Sequence, residues 1–395
     1  MSAKKNLTTK SIVVGRRAFL VAATGLAPFT HSIMANNDTI LDLYIGTYTS
    51  GKSKSKGIYL IKFDTRGGKL GEPKLVAETE DPSFIAVTSN GKYLYCVNET
   101  LKYEGKDSGY VSAYTINKAD GALTFINKQP SHGAAPCHIS ATKKGDLVFA
   151  ANYLGGNVAV FPTAKNGELL PATDIKQHTG KGPNAARQEA AHAHSIMLSP
   201  DEKFAFVNDL GIDCVVCYAI DKKEQKLSPA DAYSAKPGAG PRHLKFHPNG
   251  KFAFINNEMD VTVTSLAFDK KNGKLTEVET HSTLPAGRKS KNDSVADLHL
   301  SPDGRFLYVS NRGHNSIAVF AVNEKNGSLT AKEFIATGGK TPRNFAIDPT
   351  GRFILAANQD SGTITVFKRH KQTGKLTQTN ISAKVPKPVC LIFSS

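Results

Sequence analysis

The sequence predicts an all-β fold, a seven-bladed β-propeller with four antiparallel strands per blade, on three observations. A turn-and-strand signature recurs at intervals of about 50 residues. Each copy carries further short apolar runs joined by hairpin-type turns. The two chain ends hold complementary parts of one more copy, so that N- and C-terminal strands close the last blade.

The signature reads SNGKYLYCVNE, KKGDLVFAANY, SPDEKFAFVND, HPNGKFAFINNE, SPDGRFLYVSNR and DPTGRFILAANQ. With Gly91, Gly145, Glu202, Gly250, Gly304 and Gly351 as one column, the intervals are 54, 57, 48, 54 and 47 residues. Seven positions later stand Asn98, Asn152, Asp209, Asn257, Asn311 and Asn358, short polar side chains suited to bonding turn backbone. Before the turn lies a first strand, as in AHSIML and PRHLKF. A third strand follows the polar column (NVAVFPT, CVVCYAI, VTVTSLAF, SIAVFAV, TITVFKR), and turns such as DKKNGKL and NEKNGSL lead into a short fourth. The chain has no tryptophan, which excludes the WD signature.

Six copies account for 81 to 385. The tail PVCLIF supplies only a first strand, while LDLYIGTY and GIYLIKF near the start supply later ones. Joining them completes a seventh blade and removes the last exposed sheet edges. Residues 36–395 are therefore expected to form a single propeller domain, which a length of 395 residues, beyond the usual single core of about 250–300, requires of a repeat architecture.

The first 35 residues read as a twin-arginine export signal: a basic start, Arg16-Arg17, an apolar run from Ala18 to Phe29, and Ala35 as the last residue removed. The expected location is the periplasm, or the cytoplasm if the signal does not work. No segment approaches the ~20 apolar residues of a membrane span, so no membrane association is expected after signal removal. Without the five basic residues of the signal, 45 basic and 34 acidic residues leave a net charge of +11. The lysines are scattered rather than striped, which argues against nucleic acid and for a field that favours small anions. Five cysteines, an odd number, argue against a disulfide framework, and Cys214 and Cys217 are read with the others as buried thiols. A monomer is expected.

Aligning the copies places chemistry on the innermost strands. One position beyond the frequent proline stand Ser83, Cys137, His194, Arg242, Ala296, Arg343 and Val389, followed by Phe84, His138, Ser195, His243, Asp297, Asn344 and Cys390. At the end of the second strand stand Glu99, Tyr153, Leu210, Glu258, Arg312 and Gln359. In a propeller these positions surround one channel mouth. They present carboxylates (Glu99, Glu258, Asp297), imidazoles (His138, His194, His243) and guanidiniums (Arg242, Arg312, Arg343), groups for proton transfer beside groups for anion binding. His192, in the irregular insertion 180–194, makes His-x-His with His194, but no third ligand stands at readable spacing and no metal is expected.

From LYIGTYTS through HAHSIMLSPD, GPRHLKFHPNG and NNE to SNRGHNSIAVF, the chain resembles the seven-bladed lactonase propellers, a family that includes 6-phosphogluconolactonases and carboxymuconate cyclases. The resemblance implies hydrolysis of a sugar-acid lactone without cofactor or metal, with His194, Arg242, Glu258 and Arg312 as the functional set. His138, His243, Glu99, Asp297, Arg343 and His192 are expected to bind substrate. In the expected mechanism Glu258 or His194 takes a proton from the attacking water, the other protonates the departing alkoxide, and Arg242 with Arg312 holds the substrate anion or the oxyanion. Export favours an unphosphorylated lactone. The alternatives are a non-catalytic propeller that binds a sugar acid or a protein partner, and a ring-closing cycloisomerase of the carboxymuconate type.

Overall fold

The computed structural model describes residues 40–288 and 292–394. The export signal read at 1–35 lies outside them. The described residues form seven antiparallel sheets and no helix. In chain order, six blades span 84–130, 136–177, 193–234, 241–282, 294–336 and 342–384. The seventh is assembled from both ends. Its innermost strand, Pro388–Ser394, pairs with Ile40–Thr47 in the register Leu43↔Phe393 and Ile45↔Leu391, and Ile40–Thr47 pairs in turn with Gly57–Asp64. The outer strand of this blade is broken into Lys69–Leu70 and Lys74–Glu78, both paired with Gly57–Asp64. Pro73, which has no N–H to donate, lies in the break.

The sequence makes blades because its second strands are apolar on both faces. In FAFVND, Phe204 and Phe206 pack towards the fourth blade, while Ala205 and Val207 pack towards the second. Alternation at period two thus sends bulk one way and small residues the other. Seven apolar clusters result, each shared by two neighbouring blades, and the cluster joining the seventh blade to the first (Tyr44, Ile58, Leu60 with Ile85, Leu94, Tyr114) completes the circle. Each fully buried Phe of such a cluster stabilises the fold by ~1.5–3 kcal/mol relative to exposure.

The hairpin glycines take part in this interlock. Gly327, at φ +78°, lies so close to the neighbouring blade that a Cβ would stand 2.6 Å from Phe252 Cδ1. Gly327→Ala is expected to cost about 2–4 kcal/mol, from backbone strain plus overpacking, read as a lower denaturation midpoint in urea.

The polar column is structural. Asn152 Nδ2 donates to Ser131 O at 2.8 Å, and Asn311 Nδ2 to Thr283 O at 2.8 Å, each tying the second strand to the chain just past the fourth strand of the preceding blade. Where the column holds Asp209, the carboxylate instead accepts the His192 N–H (2.7 Å) and contacts His178 Nδ1 (2.7 Å), whose Nε2 meets Tyr218 Oη (2.9 Å). The cysteines are free thiols; Cys214 is only half-buried, because it opens the third strand at the blade's rim, while the other four are buried.

Candidate active site

The innermost strands are irregular where the chemistry sits. In six blades the register shifts at the column position, leaving Cys137, His194, Arg242, Arg343, Val389 and the pair Ala296-Asp297 outside the regular ladder. A β-bulge adds a residue and re-aims its side chain. Consecutive residues that a regular strand sends to opposite faces therefore line one cavity: Arg242 with His243, and Arg343 with Asn344.

Glu258, placed just past the end of Phe252–Asn257, is the centre of this mouth. Its Oε2 lies 3.0 Å from Arg242 Nε, 2.9 Å from Arg312 Nη2 and 4.0 Å from His194 Nε2, and its Oε1 accepts from Arg187 Nη2 at 2.7 Å. The four residues His194, Arg242, Glu258 and Arg312 thus share one space, drawn from the third, fourth and fifth blades. Burial alone would raise the Glu258 carboxyl; the charges of Arg312, Arg242 and Arg187 outweigh it and hold the group far below the usual carboxylate range. Burial, with the fields of Arg343 and Arg312, brings Arg242 down to about 10, so it stays charged at neutral pH.

The three imidazoles form a neutral row. Rings of His138 and of His194 each lie 5.4 Å from that of His243. Burial, reinforced by Arg242, pushes His243 to about 3 and His194 well below its ordinary value. His138 is lowered likewise by burial and by His243. His243 Nδ1 meets Asp297 Oδ1 at 2.8 Å, while Asp297 Oδ2 contacts His299 Nε2 (2.9 Å) and Asn344 Nδ2 (2.6 Å). Asp297 is therefore enclosed by partners and orients His243. His138 packs on the ring of Phe84 at 4.2 Å.

Across the mouth stands a second polar group. Tyr48 Oη donates to Glu99 Oε2 at 2.9 Å and accepts from Arg343 Nη2 at 2.9 Å, and the Arg343 guanidinium lies 5.3 Å from the Tyr48 ring. Burial raises the Glu99 carboxyl in spite of the Arg343 charge. Together, Arg187, Arg242, Arg312 and Arg343 face two carboxyl groups, Glu99 and Glu258, so the mouth is positive by at least two charges and suited to an anionic product or transition state.

Not every ring candidate reaches this space. The structure places His192 behind Tyr153, stacked on its ring at 4.5 Å, with Nδ1 3.0 Å from Tyr153 O and Nε2 3.1 Å from Glu189 Oε1. Leu210, in the strand-end column, is fully buried. Two residues of the site escape the sequence reading. Arg187 comes from the insertion, which has no period. Tyr48 is the seventh member of the strand-end column: Thr47 pairs with Pro388 as Asn257 pairs with Pro241, a match hidden by threonine at the column position. Among the described residues no group of three or more His, Cys, Asp or Glu side chains is arranged to hold a metal ion.

Comparison with known proteins agrees with this fold. The family described as Lactonase, 7-bladed beta-propeller matches residues 42–393. The 6-phosphogluconolactonase of Bacillus subtilis (strain 168) is 40% identical over 305 residues, 77% of this chain and 84% of that protein. The 6-phosphogluconolactonase of Formosa agariphila is 37% identical over 315 residues, 78% and 86% of the two chains. Among solved structures, the periplasmic gluconolactonase of Pseudomonas aeruginosa superposes with a TM-score of 0.84 at 35% identity, covering 90% of this chain and 99% of that one. The chain belongs to the seven-bladed β-propeller lactonases, carboxylic-ester hydrolases that act on a cyclic ester.

Proposed function

We propose that this chain opens the lactone of an unphosphorylated sugar acid at the charged channel mouth, and that it works in the periplasm after export through the signal at 1–35. The observation that carries this reading is the grip of Arg187, Arg242 and Arg312 on one buried carboxylate, Glu258. A lactone carbonyl becomes an oxyanion when water adds to it. Guanidiniums already fixed in place stabilise that charge without reorganising, an effect of about 10²–10³ in rate for each well-aimed donor.

Glu258 keeps the arginines charged and oriented rather than taking a proton itself, since a carboxylate held far below its ordinary range is a poor base. His194, whose Nε2 stands 4.0 Å from a Glu258 oxygen and whose Nδ1 is turned to Cys137 Sγ at 3.8 Å, serves as a neutral donor through Nε2 to the lactone carbonyl. The positive mouth then holds the carboxylate product until it leaves. A phosphate would also be attracted by these arginines. The export signal and the likeness to a periplasmic gluconolactonase favour the free sugar lactone.

A pH-stat comparison of glucono-1,5-lactone with its 6-phosphate, corrected for spontaneous opening, tests the substrate. The free lactone is expected to show at least tenfold higher kcat/KM. Equal values, or preference for the phosphate, would sink the unphosphorylated assignment.

A further inference from the structure

In the arginine-bound half of the mouth Glu258 is gripped by three guanidiniums, and His243, which walls the same cavity, has Nδ1 on Asp297 Oδ1 at 2.8 Å and Nε2 turned to Arg242 Nη1 at 3.2 Å. The opposite half offers a proton acceptor. Glu99, just past the end of Tyr93–Asn98 in the first blade, is met by Tyr48 from the seventh, the blade assembled from both chain ends. Between the halves is a cavity of about 10 Å³, the space of one water, lined by Ser83, Glu99, Cys137, Arg242, His243 and Arg343. It has a carboxyl on one wall and, on another, the guanidinium that grips Glu258.

On the lactonase reading above, we propose that Glu99, held by Tyr48 and Arg343, is the general base of this site and acts on a water in that cavity. The water oxygen bonds to the lactone carbonyl carbon as one of its protons passes to a Glu99 oxygen. When the ring C–O bond breaks, its electron pair stays on the ring oxygen, which takes that proton back from Glu99. Lactone and water are thereby converted to the open hydroxy acid, and the carboxyl proton leaves to solvent.

The charged and titratable groups facing Glu99 are Arg343, Tyr48, Asp81, Cys137, Arg242 and, across the cavity, His243. Burial exceeds the opposing pull of Arg343 and leaves Glu99 more basic than an ordinary carboxylate, where Glu258 is less so. The base must be ionised, so kcat/KM falls as pH drops through the Glu99 value.

The test is the pH profile of kcat/KM on glucono-1,5-lactone for wild type, Glu99→Gln and Tyr48→Phe, with thermal unfolding as the check on folding. Glu99→Gln is expected to lose about 100-fold or more and its acid limb. Tyr48→Phe keeps the carboxyl but removes the hydrogen bond that favours its charged form, so its acid limb moves to higher pH. An active wild type with Glu99→Gln within threefold of it and an unchanged limb overturns the base. If Glu99→Gln does not fold, an unshifted limb in Tyr48→Phe does the same. A wild type that hydrolyses no lactone overturns the lactonase reading, and this proposal with it.

Discussion

Arg242→Ala is expected to lower kcat/KM for lactone hydrolysis by about 10²–10³-fold, the cost of removing a donor aimed at developing negative charge. Arg242 is 2% exposed and has three attachments: Nε on Glu258 Oε2, Nη1 on the carbonyl of Ala296, and Nη1 against His243 at 3.2 Å. It also walls the water-sized cavity beside Glu99. A lysine carries the charge but is a single point donor without the planar fork that reaches Glu258 and Ala296 together. Arg242→Lys is therefore expected to recover less than tenfold of what Arg242→Ala loses, measured by steady-state kinetics at pH 7 on variants whose thermal unfolding is checked beside the wild type.

Glu258→Gln is expected to cost stability as well as activity. Without its carboxylate, buried Arg242 and partly buried Arg312 are like charges that have lost their shared counter-ion, close to the case in which breaking a buried pair costs about 3–5 kcal/mol. Arg187 is 45% exposed and adds little, which places the expectation at the lower end, about 3 kcal/mol. The folded-state carboxyl of Glu258 is more acidic than its ordinary value of 4.5. Its stabilisation is thus fully present above that pH and is lost as pH falls below it towards the folded value. The gap in urea midpoint between wild type and Glu258→Gln should be constant from pH 6 to 8 and should narrow below pH 4.5. Equal midpoints at pH 7 would show that the carboxylate does not hold the arginines together.

The propeller was legible because its blades repeat a turn, a two-faced apolar strand and a polar stop, and because the tail at 388–393 lacked what the start of the domain supplied. The column alignment also brought His194, Arg242, Glu258 and Arg312 to one mouth, since equivalent positions of a circular repeat face the same axis. Less visible was how neighbours cooperate. Period-two alternation places Arg242 and His243 on opposite faces, and only the bulge between Pro241 and His243 turns both into the channel. The proton role offered to Glu258 or His194 followed from the family resemblance and from their place on the ring beside Arg242 and Arg312. The third guanidinium, Arg187, comes from an insertion whose sequence has no pattern to fix its path, and it changes the chemistry of the group it touches. Tyr48 was hidden because its blade is split between the two ends of the chain and carries threonine where the other blades carry Asn or Asp.

The most direct measurement is the pH-stat rate of glucono-1,5-lactone opening by the purified chain at pH 7, with Arg242→Ala at equal concentration as the control for the mouth. The expected result is acid release by the wild type well above spontaneous opening, falling to within a few per cent of that excess in the variant. Acid release no faster than in buffer alone, or a variant as active as the wild type, would contradict lactone hydrolysis at this site.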